Sequence, residues 1–197
     1  MDIEAIFSNI GGVRPVVGDS LVPMTEAEIA AFEDQIEARL PGDYRQFQAT
    51  YGAVAFNGVS PDNSLVEFRP VVPLPPTVGS TRGTGIVFRL YGGNRGENEP
   101  YSLPKNFQFY SGRIPETLVP IGDDGLGGQI CLGIKGDQAC KVYYWDNENE
   151  PLDEEDYLAD YGRPREPEVI FQNVYLVANS FEEFLECLQP ISLERKE

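Results

Sequence analysis

The feature that most constrains the fold of this chain is the separation of two hydrophobic patterns along its length. Helical spacing of apolar residues is confined to the part before Gly52 and to residues 180–188. Between residues 64 and 179, short runs of β-branched and aromatic residues alternate with Gly, Pro, Asn and Asp. Because no helical pattern separates consecutive strands, a parallel doubly wound sheet is disfavoured. The order predicts an α+β fold, with a largely antiparallel β-sheet on which N-terminal helices and a C-terminal helix pack.

Four helices are predicted from the spacing of apolar residues. Their apolar faces are Ile3, Ile6, Phe7 and Ile10; Ile29, Phe32, Ile36 and Leu40; Tyr44, Phe47 and Tyr51; and Phe181, Phe184, Leu185 and Leu188. Thr25 and Glu28 have the spacing of a capping box, in which each side chain bonds a free backbone N–H. Ser180 and Glu183 repeat that spacing before the last helix. Gly52 can take the left-handed conformation that ends the third helix.

Seven strands are predicted in the middle of the chain, near residues 65–71, 85–91, 106–110, 117–121, 128–135, 139–146 and 171–178. The segment 128–146 is predicted to form a hairpin with Gly136-Asp137 as a two-residue turn, since such turns require positive φ. That register places Cys131 and Cys140 on one face of the hairpin. In a reducing compartment we expect two small packed thiols rather than a redox pair.

The sequence contains no histidine, which limits the chemistry that it can support. Histidine is the commonest general base and metal ligand, and its absence excludes Ser-His and Cys-His relays. Catalysis by Asp, Glu, Lys or Tyr is not excluded. We nevertheless expect a protein that is not an enzyme and that holds neither a cofactor nor a metal.

The net charge of −17 indicates which partners the chain can bind. It repels nucleic acid and anionic membranes and favours basic partners, although such a charge can also serve only to keep a protein soluble. The N-terminal sequence MDIEAIFSNI lacks the basic segment of a signal peptide. No apolar run approaches the roughly 18 residues that span a bilayer, and three cysteines do not form a disulfide framework. We therefore expect a cytoplasmic protein with reduced thiols.

The stretch IGDDGLGGQICLGIKGD, residues 121–137, allows three interpretations. A phosphate loop requires a helix after the glycines, whereas a strand-like run that begins at Gln129 follows them here. A calcium loop of the EF-hand kind requires acids spaced over about twelve residues, a spacing that Asp123 and Asp124 do not supply. The third interpretation, a turn that Asp begins and glycine permits, fits best and leads into the central hairpin.

The segment 146–168 carries ten acidic residues against two arginines. Its acids could hold a metal or act as paired carboxylates, or they could form a solvated loop of like charges. A third interpretation is an acidic docking surface, for which Trp145, Tyr143, Tyr144 and Tyr157 are the candidate aromatic anchors.

The stretch LPGDYRQF, residues 40–47, resembles a segment of the SUKH superfamily, the Smi1/Knr4-like domains. There a Leu-Pro-x-Asp-Tyr-x-x-Phe segment follows a helix and precedes an Asn-Gly, as Asn57-Gly58 does here. RIPETLVPIGDDGLGGQICLGIKG (113–136) resembles the family's strand, Asp, glycine turn and apolar strand. KVYYWDNENE (141–150) resembles its next strand, and SFEEFLECL (180–188) its closing helix.

Two positions depart from the family pattern, because Gly128 and Asn147 stand where an Asn and a His are frequent. Neither change threatens the fold, but neither allows the binding mode of one member to be assumed.

The resemblance implies a single SUKH-like domain over residues 1–197. Its core covers about 21–190, and residues 1–20 form an N-terminal helix and lead-in.

The resemblance also implies a function. Many bacterial members are immunity proteins that neutralise polymorphic toxins, often nucleases. Fungal members instead regulate cell-wall synthesis and signalling. No catalytic residues common to the family are known. We therefore expect a non-catalytic binding protein whose partner is a basic toxin domain.

The alternatives are a regulatory or scaffold module, a carboxylate-based enzyme or metal-binding protein, and a chain whose acids only solvate it. A homo-oligomer paired through the hairpin edge is conceivable, but nothing in the sequence requires it.

The expected binding site is the edge of the central hairpin and the loop after it. Its residues are Asp123, Asp124, Tyr143, Trp145, Asp146, Glu148 and Glu150. Acids at this edge would steer a basic partner towards the protein. A few aromatic anchors within the acidic rim would supply specificity.

Overall fold

The computed structural model describes residues 2–58, 65–80, 82–93 and 100–191. These residues form the α+β structure that the sequence predicts, and their strands lie in two antiparallel sheets. The strands are β1 Val13–Pro15, β2 Val54–Phe56, β3 Val66–Phe68, β4 Gly85–Val87, β5 Arg89–Leu90, β6 Leu118–Asp123, β7 Gln129–Gly133, β8 Val142–Trp145, β9 Val174–Ala178 and β10 Leu188–Pro190. The larger sheet has the order β1-β2-β5-β6-β7-β8-β9, and the smaller has the order β10-β3-β4.

Six α-helices are present among the described residues. They are α1 Ile3–Asn9, α2 Glu26–Gln35, α3 Gly42–Thr50, α4 Leu103–Phe109, α5 Glu154–Tyr161 and α6 Phe181–Glu186. The capping box of Thr25 and Glu28 is present at the start of α2, and Gly52 has the left-handed φ of 65° after α3. Ser180 caps α6 by accepting a hydrogen bond from the Glu183 backbone N–H. These end signals are local, which explains why the four predicted helices form.

The main core lies between one face of the larger sheet and the helices α1, α2, α3 and α6. Aromatic rings join the N- and C-terminal helices across it: the centroid of Phe181 lies 4.9 Å from that of Tyr44 and 5.1 Å from that of Phe47. A second, smaller cluster covers the opposite face of the sheet. It contains Ile114, Leu118, Cys131 and Trp145, with Tyr110, Tyr143 and Val174 packed against it.

The tip of the central hairpin differs from the predicted two-residue turn. The chain instead forms a 3₁₀ turn at Gly136–Gln138, and the paired strand β8 begins at Val142, opposite Leu132. The longer loop places Tyr143 opposite Cys131 and leaves Cys140 exposed, with a φ of 67°. The prediction that Cys131 and Cys140 share one face of the hairpin was therefore wrong.

The predicted strand at 106–110 is wrong, because these residues belong to α4 and the residue that follows it. Ser102 caps this helix by accepting from the Lys105 backbone N–H, and Pro104 lies in its first turn, where a missing N–H costs nothing. Phe107 then packs edge-on against Phe32 of α2, with ring centroids 6.1 Å apart. The aromatic alternation suggested a strand, but the helix start signal before it prevails.

The acidic segment 146–168 also contains an α-helix, α5, which the periodicity did not predict. Asp153 caps its start by accepting from the Asp156 backbone N–H, and Gly162 ends it in the left-handed conformation, with a φ of 67°. These signals are the ordinary ones for a helix. The high charge of the segment concealed them.

Candidate functional site

The stretch between β6 and β7 forms the predicted turn. The Asp123 carboxylate accepts a hydrogen bond from the Gly125 backbone N–H at 2.8 Å, and Asp124 accepts one from Leu126 at 2.7 Å. Gly125 and Gly127 have φ angles of 79° and 115°, which side chains other than glycine rarely adopt. The two aspartates therefore hold the turn together.

A second turn lies beside this one, at the end of β8. Asp146 caps the 3₁₀ turn Asn147–Asn149 by accepting from the Glu148 backbone N–H at 3.1 Å and from the Asn149 side-chain amide at 2.5 Å. Its backbone is fixed by Asn173, whose side-chain amide donates to the Asp146 carbonyl at 2.6 Å. The predicted loop after the hairpin is thus an ordered turn.

The register of β7 and β8 brings the two turns into contact, because it pairs Gln129 with Trp145. A Cβ placed on Gly127 would lie 2.6 Å from Asn147 Nδ2. A Cβ placed on Gly128 would lie 2.2 Å from the Tyr144 hydroxyl and 2.5 Å from Asp124 Oδ2. Gly128 therefore allows the close approach on which the geometry of the site depends.

A groove of about 390 Å³ opens where these two turns face the smaller sheet. We call it the acidic groove, because four carboxylates and one arginine line it among the described residues: Glu67, Asp124, Asp146 and Glu148, with Arg82. Tyr144, Thr84 and Leu126 also line it. Three of the seven residues predicted for the binding site, Asp124, Asp146 and Glu148, thus share one concave surface.

Hydrogen bonds fix three of the four carboxylates of the acidic groove, those of Glu67, Asp124 and Asp146. The Tyr144 hydroxyl donates to Asp124 Oδ2 at 2.8 Å. Glu67 accepts from the Thr84 hydroxyl at 2.9 Å and from the Gln189 amide at 2.7 Å. Burial, reinforced by the Asp124 carboxylate, raises the pKa of Tyr144, so its hydroxyl remains a donor at neutral pH. The groove is therefore preorganised and negatively charged.

Glu67 belongs to the groove but was not predicted from the sequence. It lies between Val66 and Phe68 in a three-residue strand, and this strand belongs to the other sheet. Nothing in the local pattern indicates that it faces the turns after β6 and β8. Its place in the groove depends on how the two sheets pack.

The four other predicted site residues lie on the opposite face of the sheet. Trp145 is fully buried there and Tyr143 partly so, because side chains alternate between the faces of a strand. Trp145 has no exposed surface to offer to a partner, and it acts as a core residue.

Asp123 and Glu150, also on that opposite face, are neutralised by arginines. Arg89 Nε lies 2.8 Å from Asp123 Oδ2. Arg113 donates to both oxygens of Glu150, at 2.8 and 2.6 Å, and its guanidinium lies over the ring of Trp145 at 5.4 Å. A bidentate pair of this kind fixes its carboxylate. The predicted set is therefore divided between an open acidic groove and a paired, packed face.

The described part of the chain contains no group of three His, Cys, Asp or Glu side chains placed to hold a metal ion. None of its helices is long and apolar enough to cross a membrane.

The fold and the site together define an α+β protein with an acidic groove between its two sheets. The sequence comparisons make the class specific. The model of the SMI1 / KNR4 family (SUKH-1) matches residues 23–187, so the chain belongs to this family. This range confirms the resemblance found in the sequence motifs.

One curated relative comes from Bacillus subtilis (strain 168). It is the SPbeta prophage-derived uncharacterized protein YokK, which is 26% identical over 178 residues. The match covers 88% of this chain and 80% of the relative. The likeness therefore extends along most of both chains.

Proposed function

We propose that this protein is a non-catalytic immunity-type protein that binds and neutralises a basic toxin domain in the cytoplasm. The observation that carries the proposal is the acidic groove of about 390 Å³, in which four carboxylates from one strand and two turns converge. Membership of the SMI1 / KNR4 family supports a protein-interaction role. The prophage origin of the curated relative is consistent with an immunity-type role.

Charge explains why a basic toxin is the fitting partner. A nuclease must be basic where it holds phosphates. An inhibitor with a net charge of −17 attracts such a surface before contact, which raises the association rate at low salt. The carboxylates of Glu67, Asp124 and Asp146 are already fixed by hydrogen bonds, so binding requires little further ordering of these three side chains.

The experiment uses the product of the neighbouring gene as the candidate toxin. The two proteins are coexpressed and growth is measured, and the association rate of the purified pair is measured from 50 to 500 mM salt. We expect restored growth and an association rate that falls steeply with salt. Absence of both complex and rescue would contradict the proposal for this gene pair.

Matched variants test the role of the groove. Asp124→Asn, Asp146→Asn and Glu148→Gln together remove three groove charges while keeping side-chain shape. Asp19→Asn, Asp34→Asn and Glu186→Gln remove the same charge from exposed positions elsewhere. We expect the groove variant to weaken binding by about tenfold or more relative to this control, a loss of about 1.4 kcal/mol. Equal affinities of the two variants would exclude the groove.

Two alternatives make different predictions in the same experiments. A regulatory or scaffold module that binds through apolar contacts would form a complex whose association rate depends little on salt. A metal-binding protein would gain thermal stability on titration with Ca²⁺ or Mg²⁺, because a ligand of the folded state stabilises it. We expect an unchanged melting temperature.

A further inference from the structure

The helix α5 differs from the other helices described because none of its side chains is buried. A helix of 8 residues in water is marginal unless tertiary packing or end caps stabilise it. Here Asp153 and Gly162 cap its two ends. Arg165, whose side chain is only 12% exposed, donates to the Leu152 carbonyl at 2.9 Å and fixes the chain just before the helix. The fold therefore holds α5 in place without covering its surface.

The outer surface of α5 carries aromatic and aliphatic side chains. Tyr157 and Tyr161 lie one turn apart, and their rings stack with centroids 4.5 Å apart. Tyr161 is 60% exposed and Leu158 49% exposed, and Leu152, which precedes the helix, is 40% exposed. Large side chains that are grouped and exposed in this way mark interaction surfaces more often than single ones do.

Acidic residues surround this apolar surface. Glu155, Asp156 and Asp160 are exposed, and no ion pair to them is present in the described part of the chain. Of the two arginines of the segment, Arg163 pairs with Glu166, and Arg165 lies 3.7 Å from Glu154 at the start of α5. The surface is therefore an aromatic stack beside an acidic rim in which Glu155, Asp156 and Asp160 are not neutralised by an ion pair of the described residues.

We propose that α5 is the docking element for the basic surface of the toxin partner, with Tyr157 and Tyr161 as its anchors. This inference rests on the proposed function and adds the contact that the acidic groove does not supply. Trp145 and Tyr144 are buried and cannot act as anchors, whereas tyrosines within a charged rim have the composition of binding hot spots. Arginine or lysine side chains of the partner stack on the tyrosine rings and pair with the rim carboxylates.

The first test uses an arginine nonapeptide, which represents a basic protein surface and does not depend on the identity of the toxin. It is titrated into ¹⁵N-labelled protein at low salt, and the shifted amides are mapped. We expect the largest shifts at residues 154–161. Shifts confined to residues 124–128 and 146–149, or spread evenly over the acidic surface, would overturn the assignment to α5.

The second test uses variants against the product of the neighbouring gene. The variant Leu158→Ala with Tyr161→Ala removes exposed apolar surface of α5, and Val17→Ala with Val72→Ala removes exposed apolar surface elsewhere. We expect the α5 variant to weaken binding about 30-fold, the effect of losing one hot-spot residue, and the control to change it less than twofold. Circular dichroism and melting temperature verify that both variants fold.

The two proposals fail separately. If the complex forms and the α5 variant binds as tightly as the control, docking through α5 is wrong and the immunity function stands. If no complex forms while the peptide maps to α5, the toxin pairing is wrong and α5 remains a surface that binds basic chains.

Discussion

The acidic segment that follows β8 passes through two different environments. Its first part, Asp146–Glu150, is hydrogen-bonded into the end of the sheet, where Asp146 caps a turn and Glu150 pairs with Arg113. Its second part, α5, has the same acidic character but buries no side chain. The comparison shows that neighbours, and not composition, decide whether an acidic residue is structural. Substitutions at the sheet end should therefore alter stability, whereas substitutions on α5 should alter binding alone.

The largest expected difference is between two aromatic residues, Trp145 and Tyr161. Trp145→Ala should lower the free energy of unfolding by about 3–5 kcal/mol, because it leaves a cavity in a packed cluster and removes the ring that Arg113 covers. Tyr161→Ala should change it by no more than about 0.5 kcal/mol, because the side chain is mainly exposed. Urea denaturation measures both, and similar losses would contradict the comparison.

Gly128→Ala tests the contact on which the acidic groove depends. The added Cβ would overlap the Tyr144 hydroxyl and Asp124 Oδ2, so we expect a loss of about 2 kcal/mol. Adding Tyr144→Phe removes one of the two overlaps, and the double variant should lose less than the sum of the single ones. Additive losses in urea denaturation would show that the overlap with Tyr144 is not the cause. Gly42→Ala, at a position with open space, is the control.

The pKa of Tyr144 predicts a loss of stability at alkaline pH. Burial and the Asp124 carboxylate raise this pKa above its ordinary value of 10.0, so the unfolded chain loses the proton first. The stability that the raised pKa provides is complete below pH 10 and is lost as the pH rises from there towards the folded-state pKa. In this range the free energy of unfolding falls by at most about 1.4 kcal/mol per pH unit. Tyr144→Phe should make urea midpoints between pH 9 and 11 fall less steeply than in the parent protein. If the midpoints of the variant fell with pH as steeply as those of the parent protein, Tyr144 would not be the group responsible.

Removing the cap of α5 should have a local effect. Asp153→Ala should destabilise the helix by about 1 kcal/mol and speed amide hydrogen exchange at residues 157–162, while the global unfolding midpoint stays unchanged. Asp2→Ala is the matched control, because Asp2 caps α1 in the same way and α1 buries Phe7 in the main core. The control should lower the global midpoint. Equal effects of both variants would mean that α5 is part of the cooperative core.

The smallest effect is expected from the acids of α5. Glu155→Gln, Asp156→Asn and Asp160→Asn together should change the free energy of unfolding by no more than about 0.5 kcal/mol, because exposed charges contribute little to stability. The groove variant Asp124→Asn, Asp146→Asn and Glu148→Gln removes the same charge and should cost more, since Asp124 and Asp146 accept structural hydrogen bonds. Thermal denaturation compares the two variants. A larger fall in melting temperature for the α5 variant than for the groove variant would contradict this prediction.

The elements that were predicted correctly have signals within a few residues of one another. Thr25 and Glu28 start α2, Gly52 follows α3, and Asp123 begins the turn after β6. The errors arise where two local signals compete. Alternating aromatic residues in 106–110 suggested a strand, but the cap at Ser102 and the packing of Phe107 on Phe32 make it a helix.

The candidate site was predictable in part for the same reason. Asp124, Asp146 and Glu148 were among the residues predicted at the hairpin edge and the loop after it, and they line one groove, although binding there stays a prediction. The sequence did not predict that Asp123 and Glu150 lie on the other face of the sheet. Each pairs with an arginine that is 34 or 37 positions away in the chain, Arg89 and Arg113 respectively. Glu67 is more distant still from the turns that it faces.

The sequence by itself determined the α+β class, the positions of the capped helices, the glycine turn and the acidic charge that favours a basic partner. Each of these depends on backbone preferences and charges that act over a few residues or on the chain as a whole. The tertiary structure alone decided that Trp145 is buried, that Glu67 joins the acidic groove and that Tyr157 and Tyr161 remain at the surface. Burial depends on which distant elements pack together, and that packing is a property of the whole fold.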